Sequence, residues 1–67
     1  MTDLEDVYPV LRFFAFAHLP PHLAAVSKRF HEVAWETAAD SSDYNHETAK
    51  ALDRLLEAKD AAVRGLL

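Results

Sequence analysis

The chain has 67 residues, with seven Lys or Arg against eleven Asp or Glu, a net charge of -4, and no Cys. This length allows one domain with a small core, and such chains commonly need disulfides, a metal or oligomerisation for stability. The lack of Cys excludes disulfides and disfavours a closed zinc site, so we expect a homo-oligomer. The acidic balance disfavours duplex nucleic acid as a partner, but a few local cations could still hold a small anionic ligand.

The chain contains no signal for secretion or membrane insertion. No apolar run approaches the roughly 20 residues of a membrane-spanning helix, and the acidic start, from Met1 to Asp6, lacks the apolar region of a signal peptide. We therefore expect a cytoplasmic protein that has no membrane partner.

The first predicted helix covers about residues 8–17. Pro9 suits a first helical turn, and the helix must end before Pro20, because a residue that precedes Pro avoids the α region. Phe14 shares a face with Val10 and Leu11.

Phe13 and Phe16 point away from that shared face. A helix that is apolar on most sides is usually surrounded by protein, which one small chain cannot provide. We interpret both rings first as the core of an oligomer interface, and second as a platform on which nucleotide bases stack.

The second predicted helix covers about residues 21–38. Six of its positions follow the spacing of one buried helix face; they are Leu23, Val26, Phe30, Val33, Ala34 and Thr37. At about 100° per residue, Trp35 falls on the opposite side. Subunit packing is our first interpretation of Trp35, and the alternatives are ligand stacking beside Lys28 or simple exposure.

Basic residues cluster around the start of this second helix. His18 and His22 flank Pro20 and Pro21, and Lys28 and Arg29 follow one to two turns later. The unpaired N–H groups and the dipole of a helix N-terminus favour a phosphate. The cluster is therefore a candidate anion site, and the alternative is a set of solvated side chains.

The third predicted helix covers about residues 46–64, with Asn45 as its N-cap. Lys59 lies in the middle of its apolar stripe, where a Lys must be paired or must extend to the rim. We expect it to extend to the rim or to pair with an acid of a neighbouring chain, and the alternative is a ligand at a subunit junction. A short polar loop between two long amphipathic helices predicts an antiparallel helical hairpin, so the fold class is all-α with a short N-terminal helix.

No pattern of catalytic residues is present. His18 and His22 are four residues apart, but two prolines break the helix between them, and no Gly-rich loop accompanies a Ser. We therefore expect no enzyme activity, no bound metal and no cofactor.

Three segments resemble small proteins encoded by phages of actinobacteria. They are RFFAFAHLPPHL at 12–23, VSKRF at 26–30 and ETAKALDRLLEAKDAAVR at 47–64. The last segment also resembles the C-terminal helix of the phage anti-CBASS cyclic-oligonucleotide sponges, in which an acidic residue, a small-residue face and a Leu-Glu-Ala turn recur at similar spacing.

This resemblance implies a homo-oligomer, commonly a hexamer, that binds cyclic di- and trinucleotides between its subunits. Such a protein removes the second messenger without cleaving it, so that immune effectors in the cytoplasm of the infected host stay inactive. The resemblance implies an aromatic residue that stacks on a base, for which the candidates are Tyr8 and Phe16. It also implies a basic residue that meets the phosphate, for which the candidates are Lys28, Arg29 and Arg54. The alternative function is a small helical interaction or regulatory module without a nucleotide ligand.

Overall fold

The computed structural model describes residues 3–41 and 43–67, and all of the regular structure in them is helical. A one-turn helix, α1, spans Leu4–Val7, and a 3₁₀ helix spans Pro9–Phe14. Two 19-residue helices follow, α2 at Pro21–Ala39 and α3 at His46–Arg64. The prediction of an all-α protein is confirmed. None of the described helices has the length and apolar character that crossing a lipid bilayer requires.

The first predicted helix was wrong in type and extent. Instead of an α-helix over 8–17, the chain forms α1, which the sequence analysis did not predict, and then the 3₁₀ helix. A 3₁₀ helix has 3.0 residues per turn, so Tyr8, Leu11 and Phe14, each three residues apart, lie in one row. All three side chains are buried. The row therefore forms the contact between the N-terminal segment and the rest of the core.

The core contains few residues. Its buried members come from the N-terminal segment and from both long helices; they are Tyr8, Leu11, Phe14, Ala34, Ala38 and Leu52. The small side chains of Ala34 and Ala38 allow the 3₁₀ helix and α3 to approach α2 closely.

The buried face of α2 differs from the predicted one. Leu23 and Ala34 are buried as expected, but Ser27 and Ala38 are also buried, whereas Val33 is 47% exposed. Trp35, which the sequence analysis assigned to the side away from the buried face, packs against the core, so that assignment was wrong. The reason is that the N-terminal segment packs on α2, so the buried side of α2 extends further towards Trp35 than the apolar spacing predicts.

The connection between α2 and α3 is held by side chains. Asn45 caps α3 by accepting hydrogen bonds from the N–H groups of Glu47 (2.9 Å) and Thr48 (3.1 Å). Ser41 Oγ lies 3.0 Å from Thr48 Oγ1, which joins the end of α2 to the start of α3. The Tyr8 hydroxyl accepts from the Asn45 N–H at 2.9 Å and so attaches the N-terminal segment to this connection.

Candidate functional site

A cleft of about 210 Å³ lies between the chain leading into α2, the first half of α2 and the last turns of α3. We call it the Ser27 cleft. It is lined by Phe13, Ala15, His18, Leu19, Ser27, Lys59, Asp60, Val63 and Arg64.

Ser27 is the buried polar residue of this cleft. It follows Leu23 by four residues on the buried face of α2, and its side chain is 0% exposed. Within the described part of the chain, its hydroxyl oxygen has no hydrogen-bond partner. An unsatisfied buried polar group costs roughly 1–3 kcal/mol, so a ligand atom that bonds to this hydroxyl recovers that free energy.

Lys59 supplies a largely buried cation. Its side chain is 13% exposed, and its Nζ lies 3.0 Å from Oδ1 of Asp60. The sequence analysis expected Lys59 to extend to the rim or to pair with an acid of a neighbouring chain; within the single chain its partner is the adjacent Asp60. An ammonium group has three N–H donors, and this ion pair occupies one of them. Lys59 can therefore also donate to a ligand.

Arg64 gives the cleft an excess of positive charge. Lys59 and Asp60 balance each other, whereas the ion pairs formed within residues 3–41 and 43–67 do not include Arg64. With His18 neutral, the cleft lining carries one positive charge more than negative charge. Its electrostatics therefore favour an anion.

Phe13 provides an aromatic surface at the same cleft. Its side chain is 54% exposed, and the guanidinium carbon of Arg12 lies 5.1 Å from its ring centroid. A cation above one part of the ring leaves the rest of its surface to stack on a planar group. The cleft thus combines an aromatic ring, cations and an unsatisfied hydroxyl, which suits a ligand that has both a planar base and a phosphate.

Tyr8 does not fit the stacking role that the sequence analysis gave it. Its side chain is only 2% exposed, and its hydroxyl bonds to the backbone of Asn45 and Asp43. Its ring also stacks on Tyr44, with centroids 5.7 Å apart. Tyr8 is therefore a core residue, and the prediction that it stacks on a ligand was wrong.

Phe16, which precedes α2, extends an aromatic row formed by His31 and Trp35 of that helix. Its ring meets His31 edge-on at 5.2 Å, and His31 lies 5.8 Å from Trp35. The described structure gives no hydrogen-bond partner to Nδ1 of His31 or to Nε1 of Trp35, although both atoms are buried. This row covers the side of α2 that the sequence analysis expected another subunit to cover.

The predicted basic cluster is only partly brought together. His18 lines the Ser27 cleft, whereas Arg29 lines a different groove on α2, and His22 and Lys28 are exposed elsewhere on that helix. Arg54, on α3, pairs with Glu57 at 3.1 Å.

The start of α2 also offers fewer free N–H groups than the sequence analysis expected. The Pro20 carbonyl accepts from the N–H groups of Leu23 and Ala24, and Pro21 has no N–H. The helix terminus is therefore a poorer anion site than predicted.

The sequence analysis missed Ser27 and Arg64 as site residues. One signal was available for Ser27: it is a small polar residue four positions after Leu23, at the spacing of the buried face. Arg64 lies one helical turn and a half after Lys59, but only the fold brings both residues beside Ser27 and His18.

Comparison with known proteins identifies no relatives, because no family model, curated protein or solved structure matches the chain. Within residues 3–41 and 43–67, no group of three His, Asp or Glu side chains could hold a metal ion. The cleft and the surfaces around it are therefore the basis for a proposed function.

Proposed function

We propose that this protein is a homo-oligomeric sponge that binds cyclic di- or trinucleotides and sequesters them without cleaving them. In this proposal α2 and α3 form the antiparallel hairpin of each subunit. The protein acts in the cytoplasm of a phage-infected bacterium, where it keeps the second messenger away from immune effectors. It is not an enzyme, and it uses no metal or cofactor.

The Ser27 cleft is the observation that carries this proposal. A cyclic oligonucleotide offers phosphates to Lys59 and Arg64, and it offers bases to the exposed ring of Phe13. Hydrogen bonds from charged groups to phosphate are stronger than neutral ones, and base–aromatic stacking tolerates any base. The hydroxyl of Ser27 has no exposed surface in the isolated chain, so it gains a phosphate partner only when the ligand displaces the side chains that cover it.

The size of the cleft supports a site shared between subunits. Its volume of about 210 Å³ is below the roughly 300–1,000 Å³ of typical small-molecule sites, and a cyclic dinucleotide is a large ligand of this class. A second subunit that covers the exposed half of Phe13 would enlarge and close the site. The resemblance of the segment 47–64 to the phage sponges supports the same arrangement, because those proteins bind nucleotides between subunits.

Isothermal titration calorimetry with a panel of cyclic di- and trinucleotides tests the proposal. We expect the double variant Lys59→Met and Arg64→Gln to bind at least tenfold more weakly, a change of about 1.4 kcal/mol. Met keeps the bulk of Lys59 in its partly buried position. Ser27→Ala should also weaken binding, and it should not destabilise the protein, because it removes a hydroxyl without a partner.

Lys50→Gln is the matched control. Lys50 is an exposed cation of α3 that pairs with Glu47 at 3.1 Å and lies outside the cleft, so its loss should leave the affinity within about twofold. The bound nucleotide should be recovered intact after the protein is denatured. No binding heat from any of the cyclic nucleotides at high micromolar concentration would rule out the sponge, and recovery of linear product would rule out sequestration without cleavage.

An open apolar groove favours one other function. Arg29, Phe30, Val33 and Leu55 line about 320 Å³ between α2 and α3. A groove of this kind can accept an amphipathic helix, so a helical interaction module without a nucleotide ligand is the second candidate. The same calorimetric panel separates the two, because the module binds no cyclic nucleotide.

A further inference from the structure

Asp60 is the acid among the residues that line the Ser27 cleft, and its carboxylate can accept further hydrogen bonds. Its Oδ1 lies 3.0 Å from Lys59 Nζ, and its side chain is 47% exposed. The ion pairs within residues 3–41 and 43–67 do not join it to Arg64, although that residue follows one helical turn later. A carboxylate has about four lone-pair sites, so the contact with Lys59 leaves most of its acceptor capacity unused.

This carboxylate repels the phosphates of the proposed ligand. Like charges in contact raise the free energy, and they do so most where water is excluded. The phosphates therefore lie towards Lys59 and Arg64. Asp60 is left to accept from the donors of a nucleotide, which are the N–H groups of its bases and the hydroxyls of its sugars.

The position of Phe13 favours a base as the partner of Asp60. Phe13 belongs to the chain that leads into α2, Asp60 belongs to α3, and the cleft of about 210 Å³ lies between these two parts. A base that stacks on the exposed ring of Phe13 offers its face to that ring, so its hydrogen-bonding edge stays free. That edge can then meet the acceptor on the α3 side of the cleft.

Guanine is the base whose edge fits a carboxylate. Its Watson–Crick edge carries two adjacent donors, N1–H and an N–H of the N2 amino group, which match the two carboxylate oxygens. Adenine and cytosine each place an amino group beside an acceptor nitrogen, and the N–H of uracil lies between two carbonyl oxygens, so each sets a lone pair against the carboxylate. We infer that Asp60 recognises guanine, and that the cleft selects cyclic nucleotides that contain it. Guanine recognition rests on the nucleotide site of the proposed function and names the base that this site takes.

Lys59 allows an acid to lie in an anion site. The Lys59 side chain is only 13% exposed, so its ammonium group is held in place beside Asp60. The ion pair orients the carboxylate and offsets its charge, and Arg64 keeps the lining positive by one charge. A phosphate can therefore enter the same cleft in which Asp60 accepts from a base.

Isothermal titration calorimetry of the full chain with cyclic di-GMP, cyclic di-IMP and cyclic di-AMP tests this role. The three ligands share their ring and phosphates and differ in the base. Hypoxanthine, the base of cyclic di-IMP, keeps N1–H but lacks the N2 amino group, and adenine lacks both donors. We expect the wild type to bind cyclic di-GMP at least tenfold more tightly than cyclic di-AMP, with cyclic di-IMP between them, because bidentate hydrogen bonds to a base give discrimination of this order.

Asp60→Asn should change the preference between bases. The amide keeps the shape of the side chain, but its amino group faces a guanine donor in place of an acceptor. We expect the preference for cyclic di-GMP to fall to within about twofold. Cyclic di-AMP should bind at least as tightly as to the wild type, because the repulsion between Asp60 and phosphate is gone.

Asp53→Asn is the matched control. It removes the same charge two turns earlier on the same side of α3, at an exposed position outside the cleft. The preference for cyclic di-GMP should therefore stay at least tenfold. Circular dichroism establishes that both variants remain helical.

The outcomes separate guanine recognition from the sponge itself. Equal binding of cyclic di-GMP and cyclic di-AMP by the wild type overturns guanine recognition and leaves the sponge in place. A preference that Asp60→Asn retains, or a loss of affinity that is equal for all three ligands, also overturns it, because another group then recognises the base or Asp60 serves the ribose or Lys59. GMP and AMP complete the panel: a protein that binds no cyclic nucleotide but prefers GMP through Asp60 keeps guanine recognition and removes the sponge. No binding of any of the five ligands overturns both.

Discussion

At the scale of single residues, the hydroxyl of Tyr8 links the N-terminal segment to the connection between α2 and α3. It lies at the end of a buried ring, accepts from the Asn45 N–H at 2.9 Å and donates to the Asp43 carbonyl at 3.4 Å. The sequence analysis gave Tyr8 a ligand role because the resemblance to the phage sponges implies an aromatic residue that stacks on a base. Only the packing of the N-terminal segment onto α2 and α3 distinguishes that role from a place in the core.

Removing this hydroxyl should destabilise the protein by a measurable amount. We expect Tyr8→Phe to lower the free energy of unfolding by about 1 kcal/mol, because the buried ring stays while the Asn45 N–H loses its partner at a place that water can partly reach. Urea unfolding followed by Trp35 fluorescence is the measurement. Tyr44→Phe is the control, because that side chain is 60% exposed, and its effect should be close to zero. Equal stability of Tyr8→Phe and the wild type would show that the link contributes nothing.

At the scale of helices, the sequence predicts the long elements better than the short ones. Pro21 and Asn45 are strong local start signals: α2 begins at Pro21, and α3 begins directly after Asn45. The N-terminal segment also has start signals, because Asp3 caps α1 and Pro9 begins the 3₁₀ helix. They do not determine the helix type, because a three-residue spacing of large apolar side chains fits an α-helix as well as the 3₁₀ helix that forms. The same segment determines which side of α2 is buried, so the errors for Trp35 and Val33 have one cause.

The candidate site was predictable only in part, for a related reason. Phe13 and Lys59 are conspicuous in the sequence because neither fits a simple core, and both line the Ser27 cleft. The cleft itself depends on the path of the chain from Ala15 to Pro20, which brings His18 beside the end of α3. Local periodicity carries no information about that path.

Substitutions of Asn45, the N-cap of α3, test how much this start signal contributes to the free energy of unfolding. We expect Asn45→Ala to cost about 1 kcal/mol, because the side chain accepts from two N–H groups of the first turn. Asn45→Asp is the control, since a carboxylate can accept the same bonds and suits a helix N-terminus, so it should retain the stability. Chemical denaturation measures both variants. If Ala and Asp behave alike, tertiary packing rather than the cap determines where α3 begins.

At the scale of the whole molecule, charge is unevenly distributed along the chain and the core is small. All eleven acidic residues lie outside the segment 7–31, and that segment contributes His18 and Phe13 to the Ser27 cleft. The cations of the cleft, Lys59 and Arg64, come from α3, so two separate parts of the chain supply its aromatic ring and its positive charge. The core itself is small, with six buried side chains in its main cluster, which is marginal for a domain of this length.

Assembly should therefore appear in the thermal stability. For a dimer that unfolds to separate chains, a tenfold rise in protein concentration stabilises each chain by about 0.7 kcal/mol, half of the 1.4 kcal/mol of a tenfold mass-action change. For a domain of this size, that corresponds to a rise in melting temperature of about 3–6 °C. Scanning calorimetry from about 10 μM to 1 mM measures it. A melting temperature that stays constant over this range would show that the small core is sufficient for a single chain, and the dimer and the shared nucleotide site would both lose their thermodynamic basis.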